Sequence, residues 1–216
     1  MKFASLLVFL ALSLPSFVTS AADDSIENMT ALMSQKLSDM KVLNEAIVRG
    51  GLRVRLCQYC HGKDGNSKKE GVPNLAEQNP VYLLTQFEYF RTDKRKNKVM
   101  NELAKNLTQD ERVNVALYYA SQKVIVSDEK KNLNSVSYQA GGKIYKNICA
   151  NCHGAKGYGE QNLPRIAGQK TTFLSETLTA YKTGKKVRPD SPMVAISAAL
   201  SDEDIASVAT FVGFMN

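Results

Sequence analysis

The chain has 216 residues, with 28 Lys and Arg against 21 Asp and Glu, a formal net charge of +7, and only two His and four Cys. That length suits one or two domains. The moderate positive balance suits solubility and steering toward acidic protein surfaces, and no basic stretch interleaved with aromatics points to nucleic acid.

Residues 1–20 read as a secretory leader. Lys2 gives the basic start, Phe3 to Leu14 the apolar run, Pro15 a break, and Val18 to Ala21 the small residues for cleavage next to Ser20 or Ala21. The apolar run is too short for a permanent anchor, and no later segment approaches the roughly 18 apolar residues of a membrane span. No cysteine follows the leader, which argues against a lipid anchor. In a bacterium this export delivers the chain to the periplasm.

Residues 22–48 carry Ile26, Met29, Met33, Met40 and Ile47 near one helical face. A methionine stripe can bind metal, but methionine commonly fills irregular apolar gaps, and packing is the favoured reading. Gly50-Gly51 then lead into Cys57-Gln58-Tyr59-Cys60-His61, and far downstream Gly141-Gly142 lead into Cys149-Ala150-Asn151-Cys152-His153. Cys-x-x-Cys-His is the attachment signature of c-type haem. On a helix, positions i, i+3 and i+4 share one face, so both thiols reach one porphyrin edge while the histidine reaches the iron. A zinc knuckle would lack a fourth ligand unless the two boxes shared one metal. A thioredoxin-like pair needs no adjacent histidine and belongs to a βαβ setting. The two boxes consume every Cys and His, so two covalently bound haem c groups on Cys57, Cys60, Cys149 and Cys152 are expected, and no disulfide.

The boxes start 92 residues apart, and the likeness extends well past them. Val72-Pro73-Asn74-Leu75-Ala76-Glu77-Gln78 matches Leu163-Pro164-Arg165-Ile166-Ala167-Gly168-Gln169. A helix from about Val81 to Arg91 matches one from Thr172 to Tyr181, and Met100…Leu107-Thr108 matches Met193…Leu200-Ser201. Thr108 and Glu111 fit a capping box, and Ser201 is a similar cap, with Leu200 and Ile205 as a hydrophobic staple. Val113, Leu117 and Ala120, like Ile205, Val208 and Val212, give the apolar stripe of a closing helix. Strand signals are nearly absent. The expectation is an all-α chain of two tandem domains: residues 21–122 with an N-terminal helical extension, a polar linker over 123–137, and residues 138–216.

Composition also narrows the iron ligands. His61 and His153 take one side of each iron, and no further His or Cys remains for the other. Methionine is the natural sixth ligand and raises the reduction potential. Met100 and Met193 occupy matching positions, 43 and 44 residues after Cys57 and Cys149; the competing reading makes them core residues ahead of a helix. Pro192 fixes the backbone before Met193, whereas Lys98-Val99 precede Met100, so the first methionine segment is expected to be the less constrained and the two potentials to differ. The carbonyls of Pro73 and Pro164 are candidates to accept from the histidines' second ring nitrogens; the alternative is a plain turn proline.

Two Cys-x-x-Cys-His boxes about 90 residues apart, each followed by Pro-x-[Leu/Ile]-Ala-x-Gln and then Met…Leu-[Ser/Thr]-x-[Asp/Glu], resemble the cytochrome c4 family over roughly residues 47–214. The resemblance implies two cytochrome c-like helical domains related by pseudo-twofold symmetry, axial pairs His61/Met100 and His153/Met193, and haem propionates facing across the domain interface. It implies an electron carrier with no catalytic residues, working between redox proteins: a quinol-oxidising complex as donor, a terminal oxidase as acceptor, membrane-bound partners among them, and no nucleic acid or small-molecule substrate. Residues 22–48 fall outside the family pattern. A dihaem electron-transfer subunit of a dehydrogenase, such as a flavocytochrome sulfide dehydrogenase, also resembles this pattern. A dihaem peroxidase would need an open iron position. Lys94-Arg95-Lys96, Lys98 and Lys185-Lys186-Val187-Arg188, just before the two methionines, either ring the haem edges and steer acidic partners or form plain solvated loops.

Overall fold

In each half of the chain an early helix lies so close to the closing helix that only glycine fits between them. The computed structural model describes residues 25–126, 135–160, 162–185, 188 and 191–216. The leader, the middle of the linker and Lys186-Val187 lie outside the described residues. Every regular element among the described residues is helical.

The first half runs α1 (Ile26–Leu37), α2 (Met40–Arg53), α3 (Gln58–His61), α4 (Pro80–Arg91), α5 (Lys98–Lys105) and α6 (Gln109–Ser121). The second repeats it as α7 (Val136–Ile144), α8 (Ala150–His153), α9 (Thr171–Lys182), α10 (Met193–Ala198) and α11 (Asp202–Gly213). The closing helices start as their sequences dictate. Thr108 and Glu111 satisfy each other's backbone N–H groups in one capping box, and Ser201 and Asp204 do so in the other.

Gly50 and Gly141 mark the tightest crossings. A Cβ on Gly50 would stand 2.2 Å from the Asn114 carbonyl oxygen of α6, and one on Gly141 2.1 Å from that of Ser207 in α11. Gly141→Ala should therefore cost about 1–3 kcal/mol by overpacking. Calorimetry checks this, and an unchanged second-domain transition would rule out the tight crossing.

The register between the halves also has a structural record. The offset is 91 at the glycine pairs and 92 at the cysteines, so the second half holds one extra residue between Gly142 and Cys149. A π-helical turn over Tyr145–Cys149 absorbs it; such turns accommodate a single inserted residue without ending the helix.

One expectation needs correction. The apolar residues from Ile26 to Ile47 do not share one helical face, because the chain breaks at Ser38-Asp39. There the Asp39 carboxylate accepts from the N–H groups of Lys41 and Val42 and starts a new helix. Met29 and Met33 are buried in the first core, as packing residues should be, but Met40 is 68 % exposed. The segment expected to join the halves, residues 123–137, is held at both ends. Asn66 holds it through Lys123 O and Ile125 N–H, at 2.9 and 2.8 Å, and α7 begins at Val136 behind a Ser135 cap.

The halves differ inside. The first core packs Met29, Met33, Leu84, Phe87 and Val113 around a buried ion pair, Arg112 Nε to Glu88 at 2.8 Å. The second core buries Tyr145, Val208 and Val212.

Candidate haem sites and the domain interface

Each box closes on a short helix that turns its histidine inward. His61 and His153 are both 8 % exposed. Their Nδ1 atoms lie 2.9 Å from the Pro73 carbonyl oxygen and 3.0 Å from that of Pro164. A carbonyl only accepts, so Nδ1 carries the proton and Nε2 keeps its lone pair for a metal. Burial, the dominant influence, holds both rings below the ordinary histidine value of 6.5 and so in the neutral form a metal needs. Just after the first histidine the backbone of Gly62 has φ of 82°, and a Cβ there would meet the Asn66 carbonyl oxygen at 2.2 Å.

No two of the four cysteines are joined in a disulfide. Burial raises the thiol of Cys57, and pushes that of Cys149 up to about 11. A dithiol redox centre needs the opposite shift, toward thiolate. Among the described residues no three His, Cys, Asp or Glu side chains converge to hold a metal ion.

Met100 lies in the first turn of α5, partly buried on the same core that holds Cys57. Its backbone is well braced. Asn97 accepts from the N–H groups of Val99 and Met100, and Asn101 donates to the carbonyls of Phe90 and Arg95 while accepting from Asn97 N–H. Met193 opens α10, partly buried; its N–H reaches Ser191 Oγ only at 3.4 Å, and α10 has no side-chain cap. The expected order of constraint is reversed: a network of asparagine hydrogen bonds fixes Met100 more fully than one proline ring fixes Met193. Cys149 packs on the second core, and Met193 opens the helix that packs against α9.

Of the basic runs expected at the haem edges or in plain solvated loops, Arg95 and Arg188 turn into the domain interface. A cleft of about 610 Å³ opens between the halves, lined by Phe90, Arg95, Lys98, Phe173, Tyr181 and Arg188. Arg95 and Arg188 stand five residues before their methionines, in matching positions, and both donate to the same Gln86 Oε1 at 2.9 Å. Arg188 also donates to the Tyr181 hydroxyl, and the Arg95 guanidinium covers the Phe90 ring at 4.5 Å. Burial and the neighbouring Arg188 charge push the Arg95 pKa down to about 10. No described carboxylate pairs with either guanidinium. Two crowded cations without an anion suit the carboxylates of a haem. Together with the free Nε2 lone pairs, two thiols per box and one methionine per repeat, they form a donor set that fits haem c.

Deeper in the interface, Gln78 and Gln169 each reach across to the other half, and Glu77 lies 3.5 Å from Arg165 and 3.0 Å from Lys123. Burial alone would raise the Glu77 pKa, but the Lys123 hydrogen bond and the Arg165 charge outweigh it and hold it below 4.5. A carboxylate lowered in the folded state stabilises above its unfolded value and loses that contribution as pH falls through its folded pKa. Glu77→Gln should therefore flatten the acid side of the stability profile below about pH 4.5, as read by thermal melts from neutral to acid. An unchanged slope would mean the pair does not matter.

The family described as "Cytochrome C oxidase, cbb3-type, subunit III" matches residues 136–212. Cytochrome c4 of Pseudomonas aeruginosa is 33% identical over 171 residues, covering 76% of this chain and 85% of the relative. The "Thiosulfate dehydrogenase electron acceptor" of Stutzerimonas stutzeri is 30% identical over 165 residues, covering 72% and 76%. The crystal structure of reduced cytochrome c4 from Pseudomonas stutzeri superposes with a TM-score of 0.70 at 25% identity, covering 77% of this chain and 97% of that one.

Proposed function

The chain belongs to the cytochrome c4 family of dihaem electron-transfer cytochromes, and on that premise we propose that it carries single electrons between respiratory complexes in the periplasm, from a quinol-oxidising complex toward a terminal oxidase. Its domains are residues 21–122 and 138–216 around the linker 123–137. Haem c, two per chain, supplies a reversible one-electron iron couple. Cys57 and Cys60, and Cys149 and Cys152, hold the groups covalently. His61 with Met100, and His153 with Met193, would supply the iron ligands, and Arg95 and Arg188 would pair with the haem carboxylates. The observation that carries this reading is the pair of buried histidines, each with Nδ1 engaged and Nε2 free, with one methionine at the same place in each repeat. An anaerobic potentiometric titration, with carbon monoxide added to the reduced protein, tests it. Two high-potential centres that ignore carbon monoxide are expected; a centre that binds it readily overturns the pure carrier.

The partner meets the first domain. Leu52, Leu56 and Tyr59 are 73 %, 66 % and 81 % exposed, at every third or fourth position approaching Cys60. Lys69 Nζ stands 3.9 Å over the Tyr59 ring and 3.9 Å from Cys60 Sγ, with Arg55 and Lys68 exposed nearby. The second repeat carries Lys143, Ile148 and Asn151 at those places, and Glu160 in the loop that corresponds to Lys69. An apolar patch with a basic rim fits a redox protein whose own apolar patch is rimmed by carboxylates. Leu52→Ser with Tyr59→Asn, which removes the apolar patch without adding charge, should slow electron exchange with a mixed methyl- and carboxylate-terminated electrode about tenfold, a loss of about 1.4 kcal/mol. An unaffected rate would put docking elsewhere.

A second reading, acceptance of electrons directly from a dehydrogenase, is favoured by the relative named thiosulfate dehydrogenase electron acceptor. Stopped-flow mixing with reduced thiosulfate dehydrogenase separates the two: reduction at a concentration-dependent rate supports it, and inertness removes it.

A further inference from the structure

The two domains are joined by a reciprocal clamp built from the repeated Pro-x-[Leu/Ile]-Ala-x-Gln segment. Gln169 Oε1 accepts from Asn74 N–H at 2.7 Å while its Nε2 donates to the Asn74 carbonyl at 3.0 Å. Gln78 Oε1 accepts from Arg165 N–H and its Nε2 donates to the Arg165 carbonyl, both at 2.8 Å. In each case only one orientation of the side-chain amide satisfies both bonds. All four residues are buried, so these bonds form in a low-dielectric setting where they polarise one another.

The clamped residues are not arbitrary. Asn74 N–H and the Pro73 carbonyl belong to one planar peptide unit, and that carbonyl is the one His61 Nδ1–H donates to. The same holds for Arg165 N–H, the Pro164 carbonyl and His153. Each proximal histidine is therefore the first member of a two-bond chain that crosses the interface: imidazole N–H to peptide carbonyl, peptide N–H to the glutamine of the other domain. Donating the peptide N–H makes its carbonyl a stronger acceptor, by about 10–30% per bond. A stronger acceptor at Nδ1 makes the imidazole a more basic ligand, which favours the oxidised iron.

We propose that Gln169 and Gln78 are crosswise positioning residues: each tunes the histidine of the domain it does not belong to. This rests on the haem-ligand reading above, with His61 and His153 as iron ligands. Undocking the domains, or rearranging their interface when a partner binds, would shift both centres at once without touching either ligand set.

Gln169→Leu and Gln78→Leu test the idea by potentiometry, with each wave assigned to its domain by the NMR signal of its axial methionine methyl. Gln169→Leu should raise the first domain's potential and leave the second nearly unchanged; Gln78→Leu should do the reverse. The Nδ1–H resonance of the affected histidine should move upfield as its hydrogen bond weakens. Gln169→Glu, whose ionised carboxylate is a stronger acceptor for the Asn74 N–H, should move that resonance the opposite way to the leucine variant and lower the first domain's potential, which keeps the test open even if the leucine variant folds poorly. Shifts confined to the substituted residue's own domain, equal shifts in both, or none with a displaced glutamine, would overturn the proposal. Absence of two reversible one-electron waves in the unaltered protein would instead remove the carrier reading beneath it.

Discussion

Met100→Ala is expected to convert one of the two centres into a low-potential site that binds carbon monoxide, and Met193→Ala the other. The elimination is strict within the chain: every His and Cys is already committed, so no side chain of those types can replace a lost methionine. Axial ligand identity moves haem potentials over about 0.8 V, and loss of the thioether should cost a sizeable part of that range at one centre. The untouched centre should move little. The two sites should also differ in the unaltered protein. Met100 sits on a helix turn held by Asn97 and Asn101, whereas Met193 opens an uncapped helix. An added ligand such as imidazole should therefore displace Met193 at lower concentration than Met100. Equal displacement would remove the difference in bracing, and a methionine variant with two intact high-potential waves would mean the ligand assignment is wrong.

The largest effect on stability is expected from Arg112→Leu. Arg112 is 2 % exposed, pairs with Glu88 at 2.8 Å, and reaches Met29 Sδ of α1 at 3.6 Å. Removing one partner leaves Glu88 buried with only Arg91, at 2.7 Å, to answer its charge. Breaking a buried pair costs about 3–5 kcal/mol, and each kcal/mol is worth roughly 4–8 °C in a domain of this size. Replacing both residues by leucine should restore most of the loss, because two apolar side chains need no compensation for desolvation. The second repeat has Thr179 and Ile205 at the corresponding positions, so its transition should stay in place. A calorimetric scan in which Arg112→Leu is neutral, or in which both transitions fall together, would sink the argument.

The asymmetry between the halves gives these predictions their selectivity. α1, the Glu88–Arg112 pair and the exposed Leu52–Tyr59 face all belong to the first domain alone. The second domain carries the shared helix scaffold, with the π turn taking up one added residue before its haem box and two more added between Thr183 and Arg188.

What the sequence determined by itself is whatever depends on a few neighbouring residues. The Cys-x-x-Cys-His boxes, the capping residues Thr108 and Ser201, the helix over Val81 to Arg91 and the duplicated order of motifs are all encoded over spans of one to four helical turns. Even the proline acceptors were legible, because each lies only 12 or 11 residues from its histidine. The single face drawn across Ile26 to Ile47 failed for a local reason too: Asp39 competes for backbone N–H groups and restarts the helix there. Only the tertiary structure decided which glutamine meets which peptide, that Arg95 and Arg188 share Gln86, and that Asn97 and Asn101 brace Met100 better than Pro192 braces Met193. Gln78 and Gln169 stood in plain view within the repeated motif, yet their partners lie 87 and 95 residues away. Glutamine, asparagine and arginine are ordinary surface residues in any one-dimensional pattern. They acquire a specific role only when the fold brings their hydrogen-bonding atoms together and shuts water out.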